Sequence, residues 1–183
     1  MNKMLISFLV ITSCIFGTYY FLSTNPPDLS ANAYCAFDDP KVLNRQKFYE
    51  DDFVLALYTH KPILPGHCLI IPKRHVERFE MLSDQEIAQI GIVIKKVNQA
   101  ASKVFKTSSY LLLQKNGLEV GQTVPHVHFH YIPRQSGDDS TLSFLVKMYL
   151  ANAYNPISEV EMQKTCEQMN DAMKSDLFDS SKI

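Results

Sequence analysis

No Cys-x-x-Cys pair occurs among the four cysteines, Cys14, Cys35, Cys68 and Cys166. A disulfide scaffold and a zinc ribbon are therefore poor organising principles for this chain. Charge of one sign is missing too: 18 Lys and Arg against 19 Asp and Glu leave a net −1. That excludes a broad electrostatic grip on a nucleic acid polymer, while a local pocket for a small anion stays open. No internal repeat and no low-complexity tract marks a solenoid or an array. No Gly-x-x-x-x-Gly-Lys loop is present, so P-loop phosphate chemistry is out. What remains is an ordinary globular composition, 46% hydrophobic and 20% charged over 183 residues. That is enough for one domain with a real core.

Charge is also scarce at the start. "MNKMLISFLVITSCIFGTYYFLST" carries only Lys3, and the next charged residue is Asp28. Met4 to Leu22 is a 19-residue uncharged run, close to the roughly 20 residues a membrane-crossing helix needs. It is longer than the about 7–15-residue core of a signal peptide. The expectation is a membrane anchor in residues 1–25, with membrane as a partner. The positive charge before the span places the rest of the chain on the non-cytoplasmic side. Secretion after cleavage near "ANA" (31–33), or lipidation at Cys14, is the alternative. Pro26 and Pro27 make residues 26–33 a linker, and residues 34–183 are expected to form the domain, with a C-terminal helical extension.

Within that domain, "DFVLALYT" (52–59) and "HCLIIP" (67–72) read as strands joined by the Pro- and Gly-containing "HKPILPGH". Ser83 and Glu86 form a capping box ahead of a helix whose apolar stripe is Ile87, Ile90, Ile94, Val97, Ala101 and Val104. "SYLLLQKN" is a further strand, "GLEVGQT" a loop, and "HVHFHYIP" (126–133) a last strand. Two helical patterns follow, the second opening on Ser158 with Glu161. Strands, helix, strands and helices in that order predict an α+β fold with helices against an antiparallel sheet.

Three histidines at alternate positions are the strongest chemical signal. On a strand His126, His128 and His130 share one face, roughly 6.5–7 Å apart, and Val127, Phe129 and Tyr131 share the other. Three ligands along one strand span too far to meet one zinc ion, so a metal reading needs two of them and a ligand from His67, His75 or Cys68. The other reading is nucleophilic: a central imidazole attacks phosphorus, with a neighbour on each side to orient it and bind charge. Gly121, Gln122 and Thr123, just upstream, can supply N–H groups, an amide and a hydroxyl to phosphate oxygens.

"HVHFHYI" resembles the His-φ-His-φ-His-φ-φ motif (φ apolar) of the histidine-triad (HIT) superfamily of nucleotide hydrolases and transferases. "HKPILPGHCLIIPKRHVERFEMLSDQEI" resembles that family's upstream strand pair and helix start. "NGLEVGQTVPHVHFHYIPRQSGD" resembles the fragile-histidine-triad branch, which hydrolyses dinucleoside polyphosphates. The likeness runs over about residues 34–175 and is strongest over 60–135.

The resemblance implies a homodimer with joined sheets, and hydrolysis at the α-phosphate without a metal cofactor, although a divalent ion can accompany the substrate. It implies that His128 is the nucleophile, with His126 and Gln122 as catalytic partners. His130, His67, Thr123, Gly121 and Thr59 are implied on the substrate side. Nucleoside phosphoramidate hydrolysis, nucleotidyl transfer and non-catalytic nucleotide binding are the alternatives. The chain departs from the family pattern in three places. Thr59 stands where Asn or Asp contacts ribose. Lys115 stands where an amide is frequent. "CAFD" has Asp38 in place of the second cysteine of a zinc-binding Cys-x-x-Cys, which leads to the expectation of no metal site.

Overall fold

The computed structural model describes residues 34–150 and 155–175. Helix α1 (Pro40–Gln46) opens on Asp39, whose carboxylate accepts the Lys41 N–H, and Pro40 takes the first helical position. Strands β1 (Lys47–Glu50), β2 (Val54–Tyr58), β3 (Cys68–Pro72), β4 (Ser109–Gln114) and β5 (Phe129–Arg134) form one sheet in the order β1-β2-β3-β5-β4. Every neighbouring pair is antiparallel.

Helix α2 (Asp84–Phe105) crosses between β3 and β4, and its start carries both halves of the Ser83–Glu86 capping box. The apolar stripe is displaced slightly from the one expected. Ile87 is more than a third exposed, whereas Val93 and Ala100 are buried with Ile90, Ile94, Val97 and Ala101. Helix α3 (Thr141–Tyr149) is capped by Ser140, and α4 (Glu159–Ser175) by Ser158, whose hydroxyl accepts the Glu161 N–H. The α+β class expected from the sequence is the one observed.

Alternation along β2 divides the interior. Val54, Ala56 and Tyr58 pack with Ile90, Val97, Tyr131 and Met169 in the core under α2 and α4. Leu55 and Leu57 pack on the opposite face, against Cys35, Phe37, Leu69 and Ile71. Both faces of β2 and β3 are thus covered, which is why these strands read as continuous apolar runs. Val127 and Tyr131 are fully buried on the helix face, as the alternation predicts.

Two expectations need correction. Only His130 lies inside β5, because the strand begins at Phe129; His126 and His128 stand on the segment leading into it. The membrane reading is also withdrawn. Among the described residues no helix is long and apolar enough to cross a membrane. Residues 4–22, on which the anchor, the membrane partner and the non-cytoplasmic placement were based, lie outside the described residues.

Candidate functional site

A glycine brings the first histidine into place. Gly66 adopts φ +87°, and a Cβ there would stand 2.7 Å from Pro133 Cγ and 2.8 Å from Phe105 Cδ2. Only glycine lets this turn close onto β5, and the next residue, His67, reaches across to His130. The Ile63 N–H meets His67 Nδ1 at 3.2 Å, and His67 Nε2 lies 2.9 Å from His130 Nδ1. A backbone N–H can only donate, so His67 carries its proton on Nε2 and gives it to His130 Nδ1. The proton of His130 then belongs on Nε2. Burial pushes His67 down to about 3 and His130 to about 2, and the neighbouring imidazoles add to both shifts. Both rings are therefore neutral near pH 7.

His128 is polarised by the backbone. Its Nδ1 lies 2.7 Å from the His126 carbonyl oxygen, so Nδ1 holds the proton and Nε2 keeps its lone pair. Burial depresses its pKa, His126 and Lys115 add to that, and the carbonyl bond opposes it. Its ring meets His130 edge-on, with centroids 5.0 Å apart, closer than regular strand spacing suggests.

His126 turns elsewhere. Its Nε2 lies 2.9 Å from the Pro72 carbonyl oxygen, to which it donates, and its unprotonated Nδ1 faces Cys35 Sγ at 3.6 Å and Asp38 Oδ1 at 4.0 Å. His75 Nδ1 is 2.9 Å from Asp38 Oδ2. One donor atom from each of Cys35, Asp38, His75 and His126 lies within 4.8 Å of the others. A thiol, a carboxylate and two imidazoles are a set that zinc accepts, and His126 already presents a bare nitrogen to it. The chain has no complete Cys-x-x-Cys, but the fold sets the Asp38 carboxylate where the second thiol would stand and brings His75 to it, so these four residues form a group that could hold a metal ion. Of the other sequence candidates for metal, Cys68 donates its thiol to the Gly66 carbonyl and His67 is committed to His130.

A cleft of ≈ 320 Å³ opens beside His128. Thr59, His67, Gly121, Thr123, His128 and His130 line it, so six of the eight sequence candidates come together. Two do not. The His126 ring faces the Cys35 group, and it is the carbonyl of this residue that serves His128. Gln122 is buried with its amide spent on the backbone. Its Oε1 accepts the Gly117 N–H at 2.7 Å, and its Nε2 donates to Glu77 O at 2.8 Å and Val124 O at 3.2 Å. This amide closes the 117–122 loop and fastens it to the 73–82 segment. The cleft also contains Lys61 and Lys115, which the sequence reading did not count as site residues, and no acidic side chain. The position of Lys115 directly after β4, beside the histidine strand, is the signal that could have found it.

The HIT domain family matches residues 41–137. Over 95 residues the chain is 43% identical to the bis(5′-nucleosyl)-tetraphosphatase [asymmetrical] of Schizosaccharomyces pombe, covering 52% of each protein. Over 103 residues it is 37% identical to the bifunctional bis(5′-adenosyl)-triphosphatase/adenylylsulfatase FHIT of Arabidopsis thaliana, covering 56% of this chain and 57% of that protein. The chain thus spans about half the length of these curated relatives. Among solved structures, a Hit-like protein from Bartonella henselae superposes with a TM-score of 0.57 at 28% identity, covering 69% of this chain and 85% of that one. The match takes in more than half of the 183 residues, from α1 through the three histidines: this chain belongs to the HIT domain family.

Proposed function

We propose that the protein is a nucleotidyl hydrolase that cleaves dinucleoside polyphosphates at the α-phosphate through a covalent intermediate on His128. The carrying observation is the 2.7 Å contact from His128 Nδ1 to the His126 carbonyl, which leaves Nε2 unprotonated beside a cleft containing two lysines and no acid. The named activities of the yeast and plant relatives support this substrate class.

In the first step the Nε2 lone pair forms a bond to the α-phosphorus. The bond from phosphorus to the bridging oxygen breaks, and its electron pair leaves with the departing phosphate chain. Water then attacks the phosphorus, the N–P bond breaks, and the mononucleotide departs as the water proton is released. The Nδ1–H bond to the carbonyl stabilises the positive charge that the ring acquires as it bonds to phosphorus. His130 serves as a neutral donor through Nε2–H, kept in that tautomer by His67. The Thr123 hydroxyl supplies a further donor, the Gly121 N–H being already bonded to the Leu118 carbonyl at 2.8 Å, and Thr59 takes the ribose-side position.

Both steps use groups of the polypeptide alone; a divalent ion enters only with the polyphosphate substrate. Cys35, Asp38, His75 and His126 would hold a zinc ion, which when bound would fasten the 35–38 turn to the loop after β3. The homodimer is proposed to form through β4, an edge strand with Tyr110, Leu111 and Leu112 each about 36–41% exposed. The domain is proposed to occupy residues 34–183, with α3 and α4 as its C-terminal extension.

The test is mononucleotide release from diadenosine triphosphate and tetraphosphate by the full chain, with mass spectrometry of the quenched enzyme. An adenylyl adduct on His128, and a loss of at least about 10³-fold in kcat in His128→Asn with nucleotide binding retained, is expected. An adduct on His126 or His130, or near-normal turnover by His128→Asn, overturns the reading.

A further inference from the structure

Lys115 follows β4 directly, and the β4–β5 register pairs Leu113 with His130 and Gln114 with Phe129. One further step along that ladder brings Lys115 opposite His128. Its side chain extends toward the turn at Gly121, where the ammonium Nζ stands 3.5 Å from the position a Cβ would occupy. Gly121 takes φ +81° and, like Thr123, is exposed, whereas His128, His67 and Thr59 are buried. Lys115 is therefore half-buried between the nucleophile and the solvent side of the cleft. No carboxylate pairs with its ammonium among the described residues, and no acidic side chain lines the cleft. A half-buried cation without a counter-charge, beside a nucleophile, is a position for an anion.

We propose that Lys115 selects the leaving group. Its ammonium binds the phosphate chain beyond the α-phosphorus, so that the site favours substrates whose departing part is an oligophosphate over those whose departing part is uncharged in the substrate. The assignment rests on the hydrolase reading above and adds a specificity residue to it. As His128 Nε2 bonds to the α-phosphorus, the electron pair of the breaking P–O bond collects on the departing phosphate. Lys115 is placed to stabilise that charge by a charge-assisted hydrogen bond. The ammonium binds non-bridging oxygens of the departing phosphates, whose charge rises as the P–O bond breaks; a departing phenolate carries no such oxygens.

The experiment compares two substrates of the full-length protein that share the transferred adenylyl group: diadenosine tetraphosphate and the p-nitrophenyl ester of AMP. Lys115→Gln should lower kcat/KM for the tetraphosphate by about 10- to 100-fold, the range of a charge-assisted bond. Turnover of the ester should change by less than about threefold, and Lys115→Arg should retain most of the tetraphosphate activity because the charge is kept. Equal losses on both substrates would place Lys115 on the transferred group instead and overturn the proposal, as would no loss on either. Direct binding of inorganic tripolyphosphate separates the two claims. If wild type turns over neither substrate but binds tripolyphosphate about tenfold more tightly than Lys115→Gln, the hydrolase reading fails and the phosphate-chain site at Lys115 stands. If tripolyphosphate binding is the same in both proteins, the site at Lys115 is refuted whatever the turnover.

Discussion

Replacing Gln122 by alanine removes an amide that makes four backbone hydrogen bonds: from Gly117 N–H at 2.7 Å, and to the carbonyls of Glu77 at 2.8 Å, Val124 at 3.2 Å and, more weakly, His126 at 3.5 Å. The first partner is buried, so its N–H loses its bond with no water to replace it, at about 1–3 kcal/mol. The Glu77 and Val124 carbonyls keep partial access to solvent and lose about 0.5–1.5 kcal/mol each, and the His126 carbonyl, at 3.5 Å, loses little because it keeps the His128 Nδ1–H. Because these bonds share one side chain and one loop, they do not add fully, and about 2–4 kcal/mol is expected in total. For a domain of this size, with a urea slope of about 2 kcal/mol per molar, the unfolding midpoint should fall by about 1–2 M. The melting temperature should fall by about 4–16 °C, at about 2–4 °C per kcal/mol. Activity measured well below the new melting temperature should fall less than about tenfold, because the amide does not line the cleft. The assay is urea denaturation followed by circular dichroism, with kcat/KM on the same preparations. A Gln122→Ala protein with wild-type stability and a 100-fold loss of kcat/KM would refute this reasoning and put the amide back on the phosphate.

Stability should also fall in acid. His67 and His130 have folded pKa values depressed to about 3 and about 2, against about 6.5 in an unfolded chain. The unfolded state therefore binds more protons below pH 6.5: stability is complete above that value and declines as pH falls toward the folded values, by up to about 1.4 kcal/mol per pH unit for each ring. His126 and His128, also pushed down by burial, act with the same sign. Glu86, held at about 2 by Arg74, adds a loss only below about 4.5. Urea midpoints between pH 7.5 and 4.5 should decline in wild type and less steeply in His67→Gln; a flat wild-type profile would contradict the neutral histidine pair. Zinc titration followed by isothermal calorimetry should show one site per chain, weakened at least about tenfold in Cys35→Ser/Asp38→Asn, while unchanged binding in that double variant would remove those donors from the site. Leu111→Lys should shift the protein from dimer to monomer by light scattering, since a lysine on the edge strand opposes pairing; a wild-type monomer at micromolar concentration would rule out dimerisation through β4.

Much of the local architecture was legible because it is written in short-range patterns. The α2 cap is a two-residue signal three positions apart, and it forms as read. The apolar runs at β2 and β3 and the alternation of Val127 and Tyr131 follow from the period of a strand. Ile87 fits the apolar stripe of the sequence but not the buried face, because periodicity treats every apolar residue alike. Burial was decided by where β2, β3 and α4 meet the helix, which left Ile87 near the edge and brought in Val93 and Ala100.

At the site the division is sharper. Spacing alone determined that three imidazoles lie close together near a Gly-Gln-Thr loop, and that carried the chemistry and the family resemblance. The orientation of each ring was decided only by the tertiary structure. His126 turns to Cys35, Asp38 and His75, three residues brought to it from two distant segments. His128 takes its tautomer from a backbone carbonyl, His130 takes its own from His67 across 63 positions, and Gln122 is consumed by the backbone of its own loop and of the 73–82 segment. The physical reason is that periodicity says which face a side chain takes, but not which remote stretch of chain covers that face. A buried polar atom bonds to whatever donor or acceptor the packing brings within reach.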